Sequence, residues 1–164
     1  SGFAASDPDL FKGRLALVTP IRDTSDSAVA AVTALWEGLG STVRQLSPEV
    51  HDHLVAQISH VPHLAAYALV AAADGDALPL AGRGFTDTTR IAASAEGLWS
   101  DIFRENRGPV LDALARYEGV LRRWRDLVAR GDWAALEGEL KPDDVRRKFI
   151  DAAKEARILD YQRK

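Results

Sequence analysis

The secondary-structure pattern of this chain changes at Ser47, and the change limits the folds that it can adopt. Residues 15–19 form a short apolar run that ends at a proline, which is typical of a buried strand. A helix-spaced apolar face follows and stops at Gly40, and residues 41–46 predict a second, less regular strand. All later segments have helical spacing. Residues 14–47 therefore predict a parallel strand–helix–strand unit, and the rest of this mainly α chain an all-helical region.

Helix boundaries follow from capping residues, which satisfy the free N–H groups of a first turn. A long helix is expected from Pro48 to about Ala73, and Pro62 inside it predicts a kink because proline removes a backbone hydrogen bond. All four histidines lie on this helix.

The other expected N-caps are Asp23, Thr24 or Asp26 for the first helix, Thr86 or Asp87 for a short one, Ser94 for one reaching Asn106, and Asp132 for a short segment. A break is expected at Gly108-Pro109, and the helix after it should end at Gly131. The last helix, residues 142–164, has a narrow apolar stripe, and it is expected to be a packed or fraying terminus without a functional role, or to dock on another helix or a second copy.

Composition excludes several classes of function. The 164 residues make one ordinary domain, or a small one with a piece of another, and a net charge of −3 gives no electrostatic reason to expect nucleic acid or an anionic membrane as partner. No apolar run approaches transmembrane length, the longest being residues 64–73. Cysteine is absent, so disulfides and thiol catalysis are excluded and a cytoplasmic location is expected. Because even position 1 lacks methionine, the chain is expected to start after processing or to be part of something longer.

The stretch from Gly82 to Trp99 has the features of an anion site. It reads Gly-Arg-Gly-Phe-Thr-Asp-Thr-Thr-Arg at its start, and glycine allows backbone to come close to a ligand. Arg90 is expected one turn into the helix that follows, where its guanidinium offers a rigid fork of donors to a carboxylate or phosphate. The alternative is a surface arginine or a structural ion pair.

His60-Val61-Pro62-His63 places two imidazoles three residues apart on one helix face. Substrate contacts, a metal pair and a buried structural histidine are all compatible with this spacing. Metal is the weaker interpretation, because a zinc site needs three or four ligands and no further ligand stands at a recognisable spacing. A dinucleotide-binding fingerprint is also missing, since Gly82-Arg83-Gly84 does not follow a strand in a βαβ unit.

Taken together, these motifs resemble those of the prephenate and arogenate dehydrogenase family, the oxidoreductases of tyrosine biosynthesis. The matching segments, in family order, are Leu10-Phe11-Lys12-Gly13 with Thr19-Pro20, Leu35-Trp36 with Leu39-Gly40, Ser47-Pro48-Glu49 with His51-Asp52, Ser59-His60-Val61-Pro62-His63, Gly84-Phe85 with Asp87 and Thr89-Arg90-Ile91-Ala92, Trp99, and Asn106-Arg107.

The resemblance implies a two-domain organisation. Residues 1–47 would be the end of a Rossmann-type dinucleotide-binding domain, and residues 48–164 a helical substrate-binding and dimerisation domain similar to the C-terminal domain of 6-phosphogluconate dehydrogenase. The family reaction is the NAD(P)-dependent oxidative decarboxylation of prephenate to 4-hydroxyphenylpyruvate. NAD or NADP would be bound mainly upstream of Ser1, where the catalytic histidine is also expected. This chain alone is therefore expected to be a homodimer without activity.

The resemblance also implies roles for residues of the substrate site. Arg90 would bind a substrate carboxylate, oriented by Asp87. The paired histidines, His60 and His63, would form hydrogen bonds nearby, the Gly84 backbone would approach the ligand, and Trp99 would reach the site of the partner subunit.

Some departures and alternatives remain open. Arg83 replaces a residue that is usually small in the family, and it either faces solvent or binds a second carboxylate. The alternative functions are an arogenate or cyclohexadienyl dehydrogenase, another two-domain dehydrogenase for a different hydroxy acid, a non-catalytic helical dimer that binds an aromatic amino acid, and a zinc-binding module.

Overall fold

A computed structural model describes residue 7 and residues 9–141 of the chain. The described part is mainly helical, with a two-stranded parallel sheet near its N-terminus, as the sequence predicts. The elements are β1 (Leu15–Val18), α1 (Asp26–Gly38), β2 (Thr42–Gln45), α2 (Pro48–Val55), a π turn (Ala56–His60), α3 (Val61–Ala72), a 3-10 turn (Leu78–Leu80), α4 (Arg83–Thr89), a second 3-10 turn (Arg90–Ala93), α5 (Glu96–Glu105), α6 (Arg107–Arg130) and α7 (Trp133–Glu139). The helix expected over residues 142–164 lies outside the described residues.

The described residues form two compact units. One comprises the residues up to Pro48 together with those from Asp126 onward, and the other is Glu49–Arg125. The domain division after residue 47 stays a prediction.

The first unit contains the strand–helix–strand motif predicted for residues 14–47. β1 and β2 pair in parallel, with Leu15 opposite Thr42. Gly40, between α1 and β2, has a φ of +87°, and a Cβ at this position would lie 3.2 Å from the Cα of Lys12. Because the backbone angle and the close neighbour both disfavour a side chain, glycine ends α1 here, as predicted.

The N-cap of α1 differs from the three expected candidates. It is Ser25, whose backbone is extended and whose Oγ accepts a hydrogen bond from the N–H of Ala28 at 3.2 Å. Thr24, one residue earlier, instead accepts from the N–H of Ile21 at 3.0 Å and so closes the loop before the helix. Since four consecutive polar residues can all cap a helix, the sequence pattern alone did not select the right one.

An uninterrupted helical stretch, Pro48–Ala72, includes the π turn, and all of it after Pro48 belongs to the second unit. In this turn the N–H of Val61 bonds to the carbonyl of Ala56, five residues back. Pro62 follows directly and has no N–H to donate, so the ordinary ladder of hydrogen bonds cannot continue through it. The irregularity that the proline predicts thus takes the form of a π turn.

By length and composition, the stretch Pro48–Ala72 is apolar enough to cross a membrane. This differs from the prediction that no segment approaches that length, because the prediction counted only the continuous apolar run of residues 64–73, whereas the helix also includes the mixed apolar and polar residues before it. A core helix passes the same test, and the stretch packs on one side against the buried cluster described next. The finding is therefore weak evidence for a membrane span.

The core of the second unit lies between the π turn and the start of α6. Its buried members are Ala56, Val61, Val110 and Ala113, and the partly buried Leu64, Phe103, Leu114 and Tyr117 pack against them.

α4 starts earlier than expected, at Arg83, after an N-cap at Gly82. The hydroxyl of Thr88 donates to the Gly84 carbonyl at 2.7 Å, and the other two threonines of the helix also donate to carbonyls three or four residues back. The threonine hydroxyls thus bond within the helix and leave its N-terminus uncapped. Arg90 consequently lies at the C-terminal end of α4, where a 3-10 turn begins, and the expectation that it lies one turn into the helix is wrong.

α5 and α6 also differ in their boundaries. The N-cap of α5 is Ala95 and not Ser94, because the backbone N–H of Ser94 ends the preceding 3-10 turn.

The break expected at Gly108-Pro109 falls two residues earlier, at Asn106. Pro109 therefore lies in the first turn of α6, where its missing N–H costs no helical hydrogen bond. Gly131, with a φ of +68°, ends α6 as predicted. The predicted N-cap Asp132 is confirmed, since its Oδ1 accepts from the N–H of Ala135 at 3.2 Å.

Candidate functional site

Two histidines and two aromatic side chains form one cluster in the second unit, which we call the histidine cluster (His60, His63, Trp99 and Phe103). The imidazole of His63 stacks on the indole of Trp99, with ring centroids 3.4 Å apart and planes inclined by 24°. His60 meets the same indole edge-on at 6.1 Å and the ring of Phe103 at 6.5 Å. The structure therefore brings together three of the six predicted site residues, namely His60, His63 and Trp99.

Trp99 reaches the histidines because the start of α5 is tied to α3. The hydroxyl of Tyr67 donates to the carbonyl of Ser94 at 2.9 Å, and Trp99 follows in the first turns of α5, where it is buried. The resemblance implies that Trp99 extends into the site of a partner subunit. In the described residues the indole stacks on His63 of its own chain, and its contact with the site of a partner subunit stays a prediction.

His60 is buried and has a polar neighbour that the sequence did not indicate. Its Nδ1 lies 3.2 Å from Nδ2 of Asn106, and the same Nδ2 donates to the backbone carbonyl of Asp52 at 2.8 Å. Asn106 is itself buried, at the break between α5 and α6. One amide thus joins the start of the long helical stretch to its π turn.

Burial lowers the pKa of His60 from its ordinary value of 6.5. The side chain is only 8% exposed, and loss of hydration disfavours the charged imidazolium. The Asp52 carboxylate opposes this effect, while the charges that His51 and His63 can carry add to it. At neutral pH His60 is therefore an uncharged imidazole with one donor and one acceptor nitrogen.

The other histidines have different surroundings. Nδ1 of His63 lies 2.9 Å from the carbonyl of Ser59, one helical turn back. Nδ1 of His51 lies 3.0 Å from Oδ1 of Asp52, and His53 is exposed. Among the residues that the structure describes, no group of three or more histidine and carboxylate side chains is placed to hold a metal ion.

The predicted anion-binding residues lie on an adjoining element. The 3-10 turn that begins with Arg90 packs against α3, the helix that carries His63. The Arg90 side chain is exposed and makes no hydrogen bond or ion pair with another described residue. Asp87 and Gly84 are exposed within α4, and a Cβ at Gly84 would meet nothing within 4 Å. The guanidinium is therefore accessible to a ligand, and its function stays a prediction.

Sequence reasoning missed two members of this site. Asn106 appeared only as the end of a helix and as part of a family motif, and Phe103 was not singled out. The available signal was an asparagine two residues before Gly108-Pro109, at a helix start, where an amide side chain has backbone groups to bond. Nothing in that signal indicates a histidine 46 positions away.

Comparison with known proteins identifies the family. The model of the family described as "Prephenate dehydrogenase, dimerization domain" matches residues 47–142, which is more than half of the chain. This chain belongs to the prephenate dehydrogenase family. It contains the C-terminal dimerization domain of these oxidoreductases, and the resemblance found in its motifs is confirmed.

Two curated relatives have the same degree of similarity. A cyclohexadienyl dehydrogenase of Zymomonas mobilis is 33% identical over 139 residues, which are 80% of this chain and 46% of that protein. A prephenate dehydrogenase of Bacillus subtilis is 33% identical over 138 residues, which are 80% of this chain and 37% of that protein. The chain thus spans less than half the length of these relatives.

Solved structures agree with the fold. Prephenate dehydrogenase from A. aeolicus in complex with hydroxyphenyl propionate and NAD+ is 32% identical with a TM-score of 0.77, over 87% of this chain and 52% of that one. Synechocystis arogenate dehydrogenase is 29% identical with a TM-score of 0.76, over 87% of this chain and 54% of that one.

Proposed function

We propose that the complete protein is a prephenate dehydrogenase, which oxidatively decarboxylates prephenate to 4-hydroxyphenylpyruvate with NAD or NADP. In this proposal the present chain supplies the substrate-binding and dimerising half. The observation that carries the proposal is the histidine cluster, because paired imidazoles and an indole lie together on the elements that match the family.

The proposed roles follow from the chemistry of the side chains. Arg90 binds a substrate carboxylate, since its exposed guanidinium has no ion-pair partner among the described residues. His60 and His63 form hydrogen bonds to the substrate, and Trp99 fixes the His63 ring by stacking on it. Asp87 and the Gly84 backbone complete the site on the α4 side.

The described residues do not form a nucleotide-binding loop. β1 and β2 make the only sheet among them, and the chain has no Gly-x-Gly-x-x-Gly that follows a strand. We therefore place the binding of NAD or NADP in residues outside this chain, and we assign the catalytic histidine there as well. The chain by itself is then expected to be inactive.

We further propose that the protein is a homodimer through its helical domain. Apolar side chains on the long helical stretch are exposed in the described residues, among them Leu54 and Ile58. They are four positions apart on one side of a helix, and a second copy would cover them. The proposed location is the cytoplasm.

The activity can be tested with the complete gene product. We expect it to reduce NAD or NADP when prephenate is added, whereas a protein of residues 1–164 alone should show no turnover. Arogenate should be assayed in parallel, because relatives are named for arogenate and cyclohexadienyl substrates as well. Oxidation of neither substrate by the complete protein would refute the proposal, and faster oxidation of arogenate would assign the alternative substrate.

A further inference from the structure

Each histidine of the cluster uses its Nδ1 atom for a hydrogen bond. The partner of His63 is a backbone carbonyl, and the partner of His60 is a side-chain amide. His63 Nδ1 lies 2.9 Å from the Ser59 carbonyl oxygen. A carbonyl oxygen can only accept a hydrogen bond, so this Nδ1 must carry the proton. An uncharged His63 therefore has a free lone pair on Nε2.

The partner of His60 requires the ring proton to be on the other nitrogen, Nε2. The Asn106 amide could be placed in two orientations, but the Asp52 carbonyl lies 2.8 Å from the atom assigned as Nδ2 and can only accept. That atom is therefore the NH2 group. Its second hydrogen is available to Nδ1 of His60 at 3.2 Å, so this Nδ1 accepts and Nε2 carries the ring proton.

We propose that Asn106 is a positioning residue that holds His60 as the Nε2–H tautomer beside a His63 held as the Nδ1–H tautomer. When both rings are uncharged, the pair offers a ligand one hydrogen-bond donor and one acceptor. A hydroxyl group can use both, whereas a carboxylate would meet a lone pair on one side. Recognition of the carboxylate is therefore left to Arg90. The link to catalysis rests on the proposed function, but the tautomers themselves do not depend on it.

The tautomers can be measured directly by NMR. In the complete protein with ¹⁵N-labelled histidine, long-range ¹H–¹⁵N spectra distinguish protonated from unprotonated ring nitrogens, and His60→Gln and His63→Gln assign the signals. We expect an unprotonated Nδ1 in His60 and an unprotonated Nε2 in His63. The same tautomer in both rings would overturn the proposal, whatever the activity of the protein.

Variants of Asn106 test whether this residue determines the tautomer of His60. Asn106→Ala should leave His60 in a mixture of tautomers, and Asn106→Asp, whose carboxylate can only accept, should move a proton to Nδ1. The matched control is Ser41→Ala, which removes a part-buried hydrogen bond elsewhere, from the hydroxyl of the buried Ser41 to the Phe11 carbonyl at 3.1 Å. The control should leave the His60 signals unchanged. Unaltered His60 signals in both Asn106 variants, with the fold verified by circular dichroism, would refute the role of Asn106.

Steady-state kinetics distinguishes a positioning role of Asn106 from a general loss of structure. Asn106→Ala should lower kcat/KM for prephenate about 10-fold, and Ser41→Ala should not. In a His60→Gln background the same substitution should cost less than about 2-fold, because Asn106 acts through His60. If Asn106→Ala lowered kcat/KM about 10-fold in the His60→Gln background as well, Asn106 would act through a residue other than His60. An inactive complete protein would refute the proposed function and leave the NMR result to decide the tautomers.

Discussion

Arg90 is the residue on which the proposed recognition of a carboxylate depends. Its side chain is exposed at the start of a 3-10 turn and forms no ion pair with another described residue. A charge-assisted hydrogen bond contributes roughly 1.5–3 kcal/mol. We therefore expect Arg90→Ala to raise KM for prephenate by about 10- to 150-fold in the complete protein, as measured by steady-state kinetics.

The matched control for this substitution is Arg116→Ala. Arg116 is also exposed, but it lies on α6, a different element from the turn that carries Arg90. We expect its KM to stay within about 2-fold of the parent value. Equal KM values for Arg90→Ala and the parent protein would remove Arg90 from the site.

Acid should destabilise the protein through His60. Burial lowers the pKa of this residue in the folded state, against the opposing effect of the Asp52 carboxylate and with added repulsion from His51 and His63. As the pH falls through 6.5, the ordinary value, the unfolded chain takes up a proton that the folded state does not bind. The free energy of unfolding therefore decreases until the pH reaches the lower pKa of the folded state.

Urea unfolding at a series of pH values measures this contribution. His60→Gln should weaken the fall in stability below neutral pH. His53→Gln, which removes an exposed histidine of the same helical stretch, should keep the fall as it is in the parent. If both variants lost stability with acid as steeply as the parent does, the effect would belong to other groups.

The sequence predicts part of this site and not the rest, and the reason is the range of each contact. His60 and His63 are three residues apart, so helical geometry alone places them on one face. The contact of Asn106 with His60 depends on how two helices pack, and no local pattern contains that information. The threonines of α4 show a different limit, because a hydroxyl can cap a helix or bond within it, and here all three bond within it.

At the scale of elements, one hydrogen bond connects α3 to the segment between the Arg90 turn and α5. The Tyr67 hydroxyl donates to the Ser94 carbonyl at 2.9 Å, and this contact precedes Trp99 by five residues. We expect Tyr67→Phe to lower the free energy of unfolding by about 1 kcal/mol. The Trp99 indole should also become more accessible, which acrylamide quenching can report once the other three tryptophans are replaced by phenylalanine in the parent and both variants.

Tyr117→Phe is the matched control. Tyr117 packs on the core of the same unit, and its hydroxyl makes no hydrogen bond to another described residue. The change in stability should be below about 0.5 kcal/mol. Similar losses in the two variants would show that the hydroxyl of Tyr67 contributes nothing specific.

At the scale of the whole molecule, the described surfaces indicate contacts that this chain does not make by itself. β1 and β2 form a sheet of two parallel strands, whereas parallel sheets are normally larger and covered on both faces. The sheet therefore favours a domain with further strands. The exposed apolar side chains of the long helical stretch form the surface through which we propose the dimer, and the matching family model is described as a dimerization domain.

Ile58 allows the proposed dimer to be tested with a close control. Its side chain is 76% exposed in the π turn, at a position where a second copy would bury it, so Ile58→Glu would place a charge in an apolar interface. Leu80 is even more exposed, at 85%, but lies in the 3-10 turn after α3. Light scattering coupled to size exclusion should give a dimer for the parent and for Leu80→Glu, and a monomer or a concentration-dependent mixture for Ile58→Glu. A dimer of unchanged stability in Ile58→Glu would place the interface on another face, and a monomeric parent would refute the dimer itself.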